Sequence, residues 1–439
     1  MPCAVCFFRI IKGQIIPDEQ TLRHPNVKKI LLSVYLMATA LLFPFFLLFV
    51  ALHTLSRPRA FWHHLQRLSV VLPERRPTPG KRVWLHAVSV GEILSCTPLI
   101  QRLQERGWAV FLSTSTESGF ATAQKRLRGV ELFYFPFDFW FVCNRFLKRI
   151  NPDIVLLCEV EIWPSFVWSV RRRGIPLYLV SGRMVEKDFR QYRRFKWFFG
   201  CVLSMFSGLF MQNDAYTGRM QALCRHPRLK TLGNLKFDAG FDPITQSDIG
   251  KLMPAGFNLC AASTHSGDEG RIIRIFQSLR VEFPQLRLVL VPRHPHRKRE
   301  ITRILDTQHI SYTLRSEKKY CRTPVFVVDT VGELMEVYQR CEIVIIGGSF
   351  SREVGGHNII EPALLKKCIL CGNHMENFED IYARFKQENA LITTNWRDLS
   401  QDLRELIQDR EKAARMGEKA FAVIRKNRGV SERILAEIF

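Results

Sequence analysis

Glu92 has the position in this 439-residue chain that most directly suggests chemistry. It follows an apolar run at 82–88, the polar Ser89 and the permissive Gly91, and a segment with helical periodicity begins beside it. Open α/β sheets place their active sites at such strand-to-helix turns, beyond the carboxyl ends of the strands. An acid in a first helical turn also complements the helix dipole, worth about 0.3 to 1 kcal/mol, and this structural role is the alternative.

A second acidic group, Glu159 and Glu161, follows the apolar run at 153–157. The two alternate with Val160, so in an extended chain their side chains point to the same side. Pro164 then suits the first turn of a helix. Carboxylates at a strand exit can bind sugar hydroxyls or orient a neighbouring group, and the alternative is a solvated loop.

Three polar loops in the second half of the chain carry further candidates. Each lies between an apolar run and a helix-like segment, and together they contain Thr264, His265, Arg293, His294, Gly347, Gly348, Ser349, Asn358 and Glu361. Glycines at the start of a helix let backbone N–H groups approach a phosphate, and the helix dipole favours the anion. Glu361 can accept both hydroxyls of a ribose. One glycine-rich loop is weak evidence, whereas three polar loops in one domain favour a nucleotide site.

Apolar runs alternate with helix-like segments along both halves of the chain, which predicts parallel sheets covered on both faces. The predicted strands are 82–88, 108–116, 130–136, 153–161, 176–183 and 208–214, then 257–264, 286–293, 324–329, 342–349, 368–372 and 390–394. Turn-forming residues interrupt the pattern at 238–254. We therefore predict an α/β fold with two doubly wound, Rossmann-like domains facing a cleft. The predicted segments are an anchor region 1–55, a first domain 56–240, a linker 241–254 and a second domain 255–439.

The anchor region contains 23 uncharged residues at 30–52, and a helix needs about 20 apolar residues to cross a membrane. A buried core helix is the alternative, and Pro44 also allows a kinked or shallow insertion. Five basic residues precede the segment and seven follow it up to Arg82. Because the flank with more Lys and Arg tends to lie in the cytoplasm, this count favours a cytoplasmic location for the part of the chain after the segment. Deletion of 1–52 removes no predicted strand, so we expect the remaining body to fold without it.

A formal charge of +23 favours phosphate-rich partners. The segment 187–200 carries five basic and six aromatic residues, which suits an anionic membrane surface or a phosphorylated glycolipid. Single-stranded nucleic acid would suit the same composition. The uncharged stretch decides for the membrane, and no nucleic acid is expected.

The twelve cysteines are scattered through apolar stretches, which is typical of a reducing compartment. Two close pairs, Cys3 with Cys6 and Cys368 with Cys371, have no second pair or spaced histidines beside them. We predict that both pairs are unpaired thiols that bind no metal.

Several of these residues belong to motifs that resemble, in order, those of the Kdo transferases, which attach 3-deoxy-manno-octulosonic acid from CMP-Kdo to a lipid A precursor. The motifs are HAVSVGE, EVEIWP, QNDAYTGRM, GNLKFD, AASTHSGDE, VPRHPHR, DTVGEL, GGSF and GGHNIIEPA. They span 82–365, and the first two are specific to that family. The resemblance implies a GT-B glycosyltransferase at the inner (cytoplasmic) membrane, with its catalytic body on the cytoplasmic face.

Site roles follow from the resemblance residue by residue. Glu92 falls on the proposed general base. The residues that fall on the acceptor-binding side are Ser89, Gly91, Glu159, Glu161, Arg183, Lys187 and Arg190. The residues of the three polar loops fall on the side that binds the donor, CMP-Kdo. Ser165 stands where the family has asparagine, and Ser181, Gly182 and Arg183 replace Asn-Ala-Arg, so acceptor recognition is the part that departs.

The resemblance implies a reaction that inverts the configuration and uses no cofactor. A metal is not expected either, because the chain has no D-x-D element and a monophosphate leaving group has less need of a metal. The resemblance leaves open whether one or more Kdo residues are added to the acceptor, lipid IVA. Two other functions stay open: a GT-B enzyme for a different nucleotide sugar, and a membrane-tethered noncatalytic module that binds acidic polymers.

Overall fold

A computed structural model describes residues 25–56, 61–73, 80–239 and 247–439, without the side chains of 25–29. The Cys3 and Cys6 pair and part of the predicted linker, 241–246, lie outside the described residues. The chain divides into two compact units. The first comprises Met1–Ala239 with Gly429–Phe439, and the second comprises Gly240–Arg428.

The first unit is built on a parallel sheet of seven strands in the order β3-β2-β1-β4-β5-β6-β7. Its strands are β1 Arg82–His86, β2 Ala109–Thr114, β3 Val130–Tyr134, β4 Ile154–Cys158, β5 Leu177–Gly182, β6 Gly208–Met211 and β7 Leu229–Thr231. Its helices up to β7 are α1 Pro25–Ser56, α2 Phe61–Arg67, α3 Val90–Glu105, α4 Glu117–Arg126, α5 Trp140–Ile150, α6 Pro164–Arg172, α7 Glu186–Arg194, α8 Lys196–Leu203 and α9 Asp214–Leu223. The strand order reverses between β1 and β4, which makes their carboxyl ends the topological switch point.

Side chains alternate across this sheet and bury both of its faces. Val83 and Leu85 pack with the helix α3, whereas Trp84 points to the other face and meets Phe166 of α6 at a ring distance of 4.9 Å. Continuous apolar strands are therefore needed, because neither face of the sheet reaches water.

The second unit repeats the plan in the order β10-β11-β9-β8-β12-β13-β14, again parallel. Its strands are β8 Phe257–Thr264, β9 Leu286–Pro292, β10 Tyr312–Leu314, β11 Val325–Val327, β12 Ile343–Ile346, β13 Cys368–Cys371 and β14 Ile392–Thr393. Its helices are α10 Ile249–Leu252, α11 Asp268–Glu282, α12 Lys298–Thr307, α13 Leu334–Gln339, α14 Ile360–Leu364, α15 Glu379–Gln387, α16 Leu399–Gln408 and α17 Arg410–Asn427. Here the switch point lies between β8 and β12.

Both parallel sheets confirm the predicted α/β fold class, and each of the twelve predicted strands overlaps a strand of the structure. Two further strands, β7 and β10, escaped prediction. Each has three residues at the edge of its sheet, and β7 reads Leu-Lys-Thr. An edge strand with polar side chains has no apolar run to identify it.

The last helix, α18 Val430–Ile438, belongs to the first unit, whereas the sequence-based division assigned 255–439 to one domain. Asp238 holds its start by accepting hydrogen bonds from the N–H groups of Gly429 and Ser431, both at 2.7 Å. Ile434 packs into the core beside α3. Contacts between residues so distant in sequence leave no local pattern, so the sequence did not indicate that the chain comes back to the first unit at α18.

The apolar helix α1 has two different faces. Within the described ranges it is the one helix long and apolar enough to cross a membrane, by length and composition. Tyr35 is buried against the first unit, and Phe43 and Phe46 meet Phe139 at ring distances of 4.8 and 5.0 Å. The opposite face is exposed, as shown by Leu41, which is 74% exposed. The helix is therefore neither a fully buried core helix nor a detached tether, and deleting it would uncover aromatic surface.

Candidate functional site

Glu92 lies in the first turn of α3, just after β1, at the switch point of the first sheet. Ser89 is the N-cap: its hydroxyl accepts a hydrogen bond from the Glu92 N–H at 3.4 Å and donates one to Glu92 Oε1 at 2.9 Å. The Val88 N–H donates to Oε2 at 2.8 Å. These contacts form a capping box, so Glu92 stabilises the first turn of α3. It coexists with burial, because Glu92 is only 9% exposed.

The surroundings of Glu92 change its acidity. Burial, aided by the Glu159 carboxylate, raises the pKa of Glu92 to about 7 against the opposing hydrogen bonds from Val88 and Ser89. A carboxylate with a pKa near the working pH is a better proton acceptor than an ordinary one and is still half ionised. The arrangement therefore suits a general base.

The carboxylate loop (residues 159–163) follows β4, the neighbour of β1. Glu159 has a left-handed backbone, with φ +55°, a conformation that costs about 1–3 kcal/mol for a residue other than glycine. The chain is therefore not extended there, so the predicted alternation does not set the directions of the two side chains, although both carboxylates interact with Glu92. The Trp163 indole N–H donates to Glu161 Oε2 at 2.7 Å. Burial and the Glu92 carboxylate raise the pKa of Glu161 to about 8 against that hydrogen bond.

Lys236 joins this acidic group, although it was not among the predicted site residues. Burial lowers its pKa, and the charges of Glu159 and Glu92 oppose that shift. Asn234 and Gln212 support its turn, since the Asn234 side chain donates to Gln212 at 3.1 Å and accepts the Lys236 N–H at 3.0 Å. The signal available in the sequence was the motif at 233–238, which follows β7.

The other predicted acceptor residues spread outward from this group. A Cβ on Gly91 would lie 3.9 Å from the Ser89 hydroxyl oxygen, which is an ordinary contact, so the packing there does not require glycine. Arg183, at the end of β5, is partly buried and interacts electrostatically with Lys236. Lys187 and Arg190 lie exposed on α7, where Arg190 pairs with Glu186 at 2.9 Å.

The basic and aromatic residues of 187–200 separate in the structure. The five basic side chains are exposed, whereas Tyr192, Phe198 and Phe199 are buried in the core. Half of the six aromatics therefore pack inside the unit, and the surface of the segment is chiefly basic.

At the switch point of the second sheet, three ionic and polar side chains join β8 to the loop after β9. Glu269 is fully buried; it accepts the Thr264 hydroxyl at 2.8 Å and two Arg297 hydrogen bonds at 2.8 and 3.2 Å. Arg297 also pairs with Glu300 at 2.8 Å. The predicted Thr264 is thus part of the framework of this edge.

Gly347 and Gly348 have internal roles. The Gly347 N–H donates to Ala262 O at 2.7 Å, and the Gly348 N–H donates to Asp268 at 2.8 Å. A Cβ on Gly347 would lie 2.5 Å from Ser263 O, so only glycine fits there. Since both amides are used inside the unit, the glycines allow close packing of β12 on β8 and do not offer these N–H groups to a phosphate.

Ser349 and the start of α14 differ from expectation in the same way. The buried Ser349 hydroxyl donates to Ile346 O at 2.6 Å and accepts the Gly372 N–H at 2.7 Å, so it holds the loop. Asn358 donates to Glu361 at 3.0 Å, but α14 has only five residues. A helix this short adds little dipole, and anion binding must come from side chains.

Those side chains are histidines and arginine. His265 and His357 share a hydrogen bond between their Nε2 atoms at 2.7 Å, and the His294 ring lies 5.7 Å from His265. Burial, together with the neighbouring imidazole and Arg293, lowers the pKa of His357 to about 4. Burial also lowers the pKa of His265, so both imidazoles favour the neutral form at pH 7. Arg293 is exposed beside it, so a fixed cation and neutral donors lie at one edge, an arrangement that suits an anionic ligand.

Metal-ligating chemistry has little support in the described part of the chain. No group of three or more His, Cys, Asp or Glu side chains there is arranged to hold a metal ion. Cys368 and Cys371 are free and buried on β13, and burial raises the pKa of each thiol to about 12.

Comparison with known proteins gives the same division of the chain. Residues 62–239 match a family described as 3-deoxy-D-manno-octulosonic-acid transferase (kdotransferase), and residues 271–423 match glycosyl transferases group 1. A 3-deoxy-D-manno-octulosonic acid transferase of Haemophilus influenzae is 28% identical over 406 residues, covering 89% of this chain and 94% of the relative. That of Bordetella pertussis is 32% identical, covering 70% and 74%.

A solved structure extends the likeness at the level of fold alone. UDP-GlcNAc 2-epimerase from Neisseria meningitidis, bound to UDP-GlcNAc, superposes with a TM-score of 0.58 at 12% identity, covering 81% of this chain and 99% of that one.

The raised pKa of Glu161 predicts a pH-dependent stability. Because the folded state holds the Glu161 proton more tightly than the unfolded chain, stability present below about pH 4.5 is lost as pH rises through about 8. Glu161→Gln keeps an acceptor for Trp163 and cannot ionise. The Tm of Glu161→Gln minus the Tm of wild type should therefore be larger at pH 8.5 than at pH 5. Each kcal/mol of unfolding free energy that wild type loses over this range corresponds to a difference of about 2 to 4 °C. The exposed Glu105→Gln on α3 serves as control, and an equal response of both variants would contradict the assignment.

Proposed function

The chain belongs to the family of 3-deoxy-D-manno-octulosonic acid (Kdo) transferases, and we propose that it transfers Kdo from CMP-Kdo to a lipid A precursor of the lipid IVA type. The observation that carries the proposal is the buried Glu92 carboxylate at the switch point, with its pKa near 7. A noncatalytic module would have no use for such a group, and membership of a glycosyltransferase family excludes that alternative.

Glu92 is the general base in this proposal. An acceptor sugar hydroxyl must lose its proton as it attacks the anomeric carbon, and a positioned base contributes about 10²–10⁴-fold to such a step. Attack on the face opposite the leaving CMP inverts the configuration. Neither the base nor the departing monophosphate requires a metal ion.

Glu161 and Lys236 complement the base. With a pKa of about 8, Glu161 is mostly protonated at pH 7 and can donate a hydrogen bond to an acceptor oxygen, whereas Glu92 is ready to accept a proton. Lys236 interacts with the charges of Glu159 and Glu92, and its positive charge favours the ionised form of Glu92 that must be present before the hydroxyl proton is taken.

The second unit supplies the donor site in this proposal. Breaking the bond to CMP leaves negative charge on the phosphate, which preorganised cations and hydrogen-bond donors stabilise. Arg293 is exposed at the switch point beside His265, His294 and His357. Glu361 remains the residue proposed for the ribose hydroxyls.

The membrane side of the proposal rests on α1 and α7. The exposed apolar face of α1 suits hydrocarbon, and the exposed basic side chains of 187–200 suit anionic lipid. We place the protein at the inner membrane with its catalytic body on the cytoplasmic face. Addition of more than one Kdo is part of the proposal, and the product mass of a reaction with CMP-Kdo and tetraacylated precursor decides it.

Glu92→Gln tests the base. Glutamine is equally suited to the capping position, so folding should persist, but it cannot take a proton. Transfer should fall by about two to four orders of magnitude. CMP binding, followed by calorimetry, should not change. The matched control Glu105→Gln, at the exposed end of the same helix, should transfer normally. Near-normal turnover of Glu92→Gln would remove Glu92 from the role.

Glu361→Ala tests the donor assignment. Loss of charge-assisted hydrogen bonds to the ribose should weaken CMP-Kdo and free CMP alike, by about 1.5 to 3 kcal/mol in calorimetry. Glu353→Ala removes an exposed carboxylate from the preceding loop and should leave both affinities unchanged. If Glu361→Ala kept wild-type affinity for CMP while a uridine nucleotide bound more tightly than CMP, a different nucleotide sugar would be the donor.

A further inference from the structure

Asp138, which lies between β3 and α5, is an acid that the proposed reaction does not use. Its Oδ1 accepts the Phe166 N–H at 2.8 Å, and its Oδ2 accepts the Ser165 N–H at 3.2 Å. Pro164 is the first residue of α6 and has no N–H, so these two are the first free amides of that helix. The N-cap residue, Trp163, makes no side-chain cap of its own. Asp138 therefore caps α6 from a different segment of the chain.

The same carboxylate reaches the apolar helix α1. The Tyr35 hydroxyl donates to Asp138 Oδ2 at 3.1 Å, and the Tyr35 ring packs 5.3 Å from the ring of Phe198 in α8. Tyr35 is 6% exposed and lies on the face of α1 that packs against the first unit. One carboxylate thus joins α1 to the first turn of α6.

The first turn of α6 in turn carries the carboxylate loop. Trp163 is both the N-cap of α6 and the donor to Glu161 at 2.7 Å, and Ile162 is buried in the core beside it. A shift of this turn must move Trp163 and so move Glu161 relative to Glu92. The loop has no helix or strand of its own between β4 and α6, so its far end is only as well placed as α6.

We propose that Asp138 is a positioning residue that, held by Tyr35 of α1, fixes the start of α6 and thereby sets Glu161 for the acceptor. The apolar helix is then part of the support of the acceptor site as well as a membrane element. This inference rests on the acceptor role proposed for Glu161, but the physical connection from α1 to α6 does not.

The cost of burying Asp138 makes the connection sensitive to a single hydrogen bond. Burial raises the pKa of Asp138 to about 6, and the hydrogen bonds from Phe166, Ser165 and Tyr35 lower it from a still higher value. Removing the phenol takes one hydrogen-bond donor from a carboxylate that is partly withdrawn from water. The amides of α6 must then share a less well held partner.

Tyr35→Phe in the full-length protein tests the proposal, because it keeps the ring against Phe198 and deletes only the hydroxyl. Hydrogen exchange of the amides of Ser165 and Phe166 should become faster. In assays with detergent-dispersed acceptor, where membrane binding does not limit the reaction, kcat should fall on the order of tenfold while KM for CMP-Kdo stays unchanged. Thr39→Val is the matched control, since it removes a hydroxyl of α1 that bonds within its own helix, to Leu36 O.

Asp138→Asn supplies a second variant, which should show the same pattern with a larger loss, because an amide offers one acceptor oxygen where the carboxylate offers two. Unchanged exchange in Tyr35→Phe would overturn the connection. Faster exchange with normal kcat in detergent would overturn the positioning role, as would a loss of activity confined to vesicles. A wild-type chain that transfers no Kdo to the lipid would instead count against the proposed acceptor, and the exchange experiment, which needs no substrate, would still decide whether α1 holds α6.

Discussion

The withdrawal of carboxylates from water, reinforced by their mutual repulsion, is the constraint on which the first unit depends. Glu92 follows β1, Glu159 and Glu161 follow β4, and these strands are neighbours at the point where the strand order reverses. Water would screen such charges on a surface, but burial raises the pKa of Glu92 and of Glu161 into the neutral range. The fold supports this arrangement with a capping box at Glu92, a strained backbone at Glu159, the Trp163 hydrogen bond and the nearby Lys236. Acids that are costly to place together are thereby made useful at neutral pH.

The second unit uses the same topology for the opposite charge requirement. Its own acids at the switch point already have partners inside the unit. Asp268 accepts hydrogen bonds from the N–H groups of His265 and Gly348, and Glu269 accepts from Arg297. That leaves the neutral pair of His265 and His357 and the exposed Arg293 at the edge. One sheet edge thus favours proton removal and the other favours an anion, which is the division of labour that transfer from a nucleotide sugar requires.

Features fixed by local pattern were predictable from the sequence, and those fixed by distant contacts were not. Central strands such as β4 and β12 are apolar on both faces and were recognised, whereas the three-residue edges β7 and β10 were not. The choice of Glu92 followed from its place after a strand, but its raised pKa depends first on burial in the folded chain and then on Glu159, sixty-seven residues away. Glycines were expected to expose amides, yet Gly347 is required because Ser263 O lies too close for a side chain. Lys236 and Asp138 were missed because their partners lie far along the chain.

The pH dependence of kcat/KM for the acceptor, measured with the wild-type chain between pH 5.5 and 8.5, shows whether a carboxylate of raised pKa removes the acceptor proton. Since the pKa of Glu92 is raised to about 7, the base form accumulates only as pH rises through that value. The rate constant should therefore increase about tenfold per pH unit below pH 7, pass through a maximum between the two pKa values, and fall above about pH 8 as Glu161 loses its proton. A rate constant that does not rise between pH 5.5 and pH 7 would show that the catalytic carboxylate has an ordinary acidity, and it would exclude Glu92 with a raised pKa as the base.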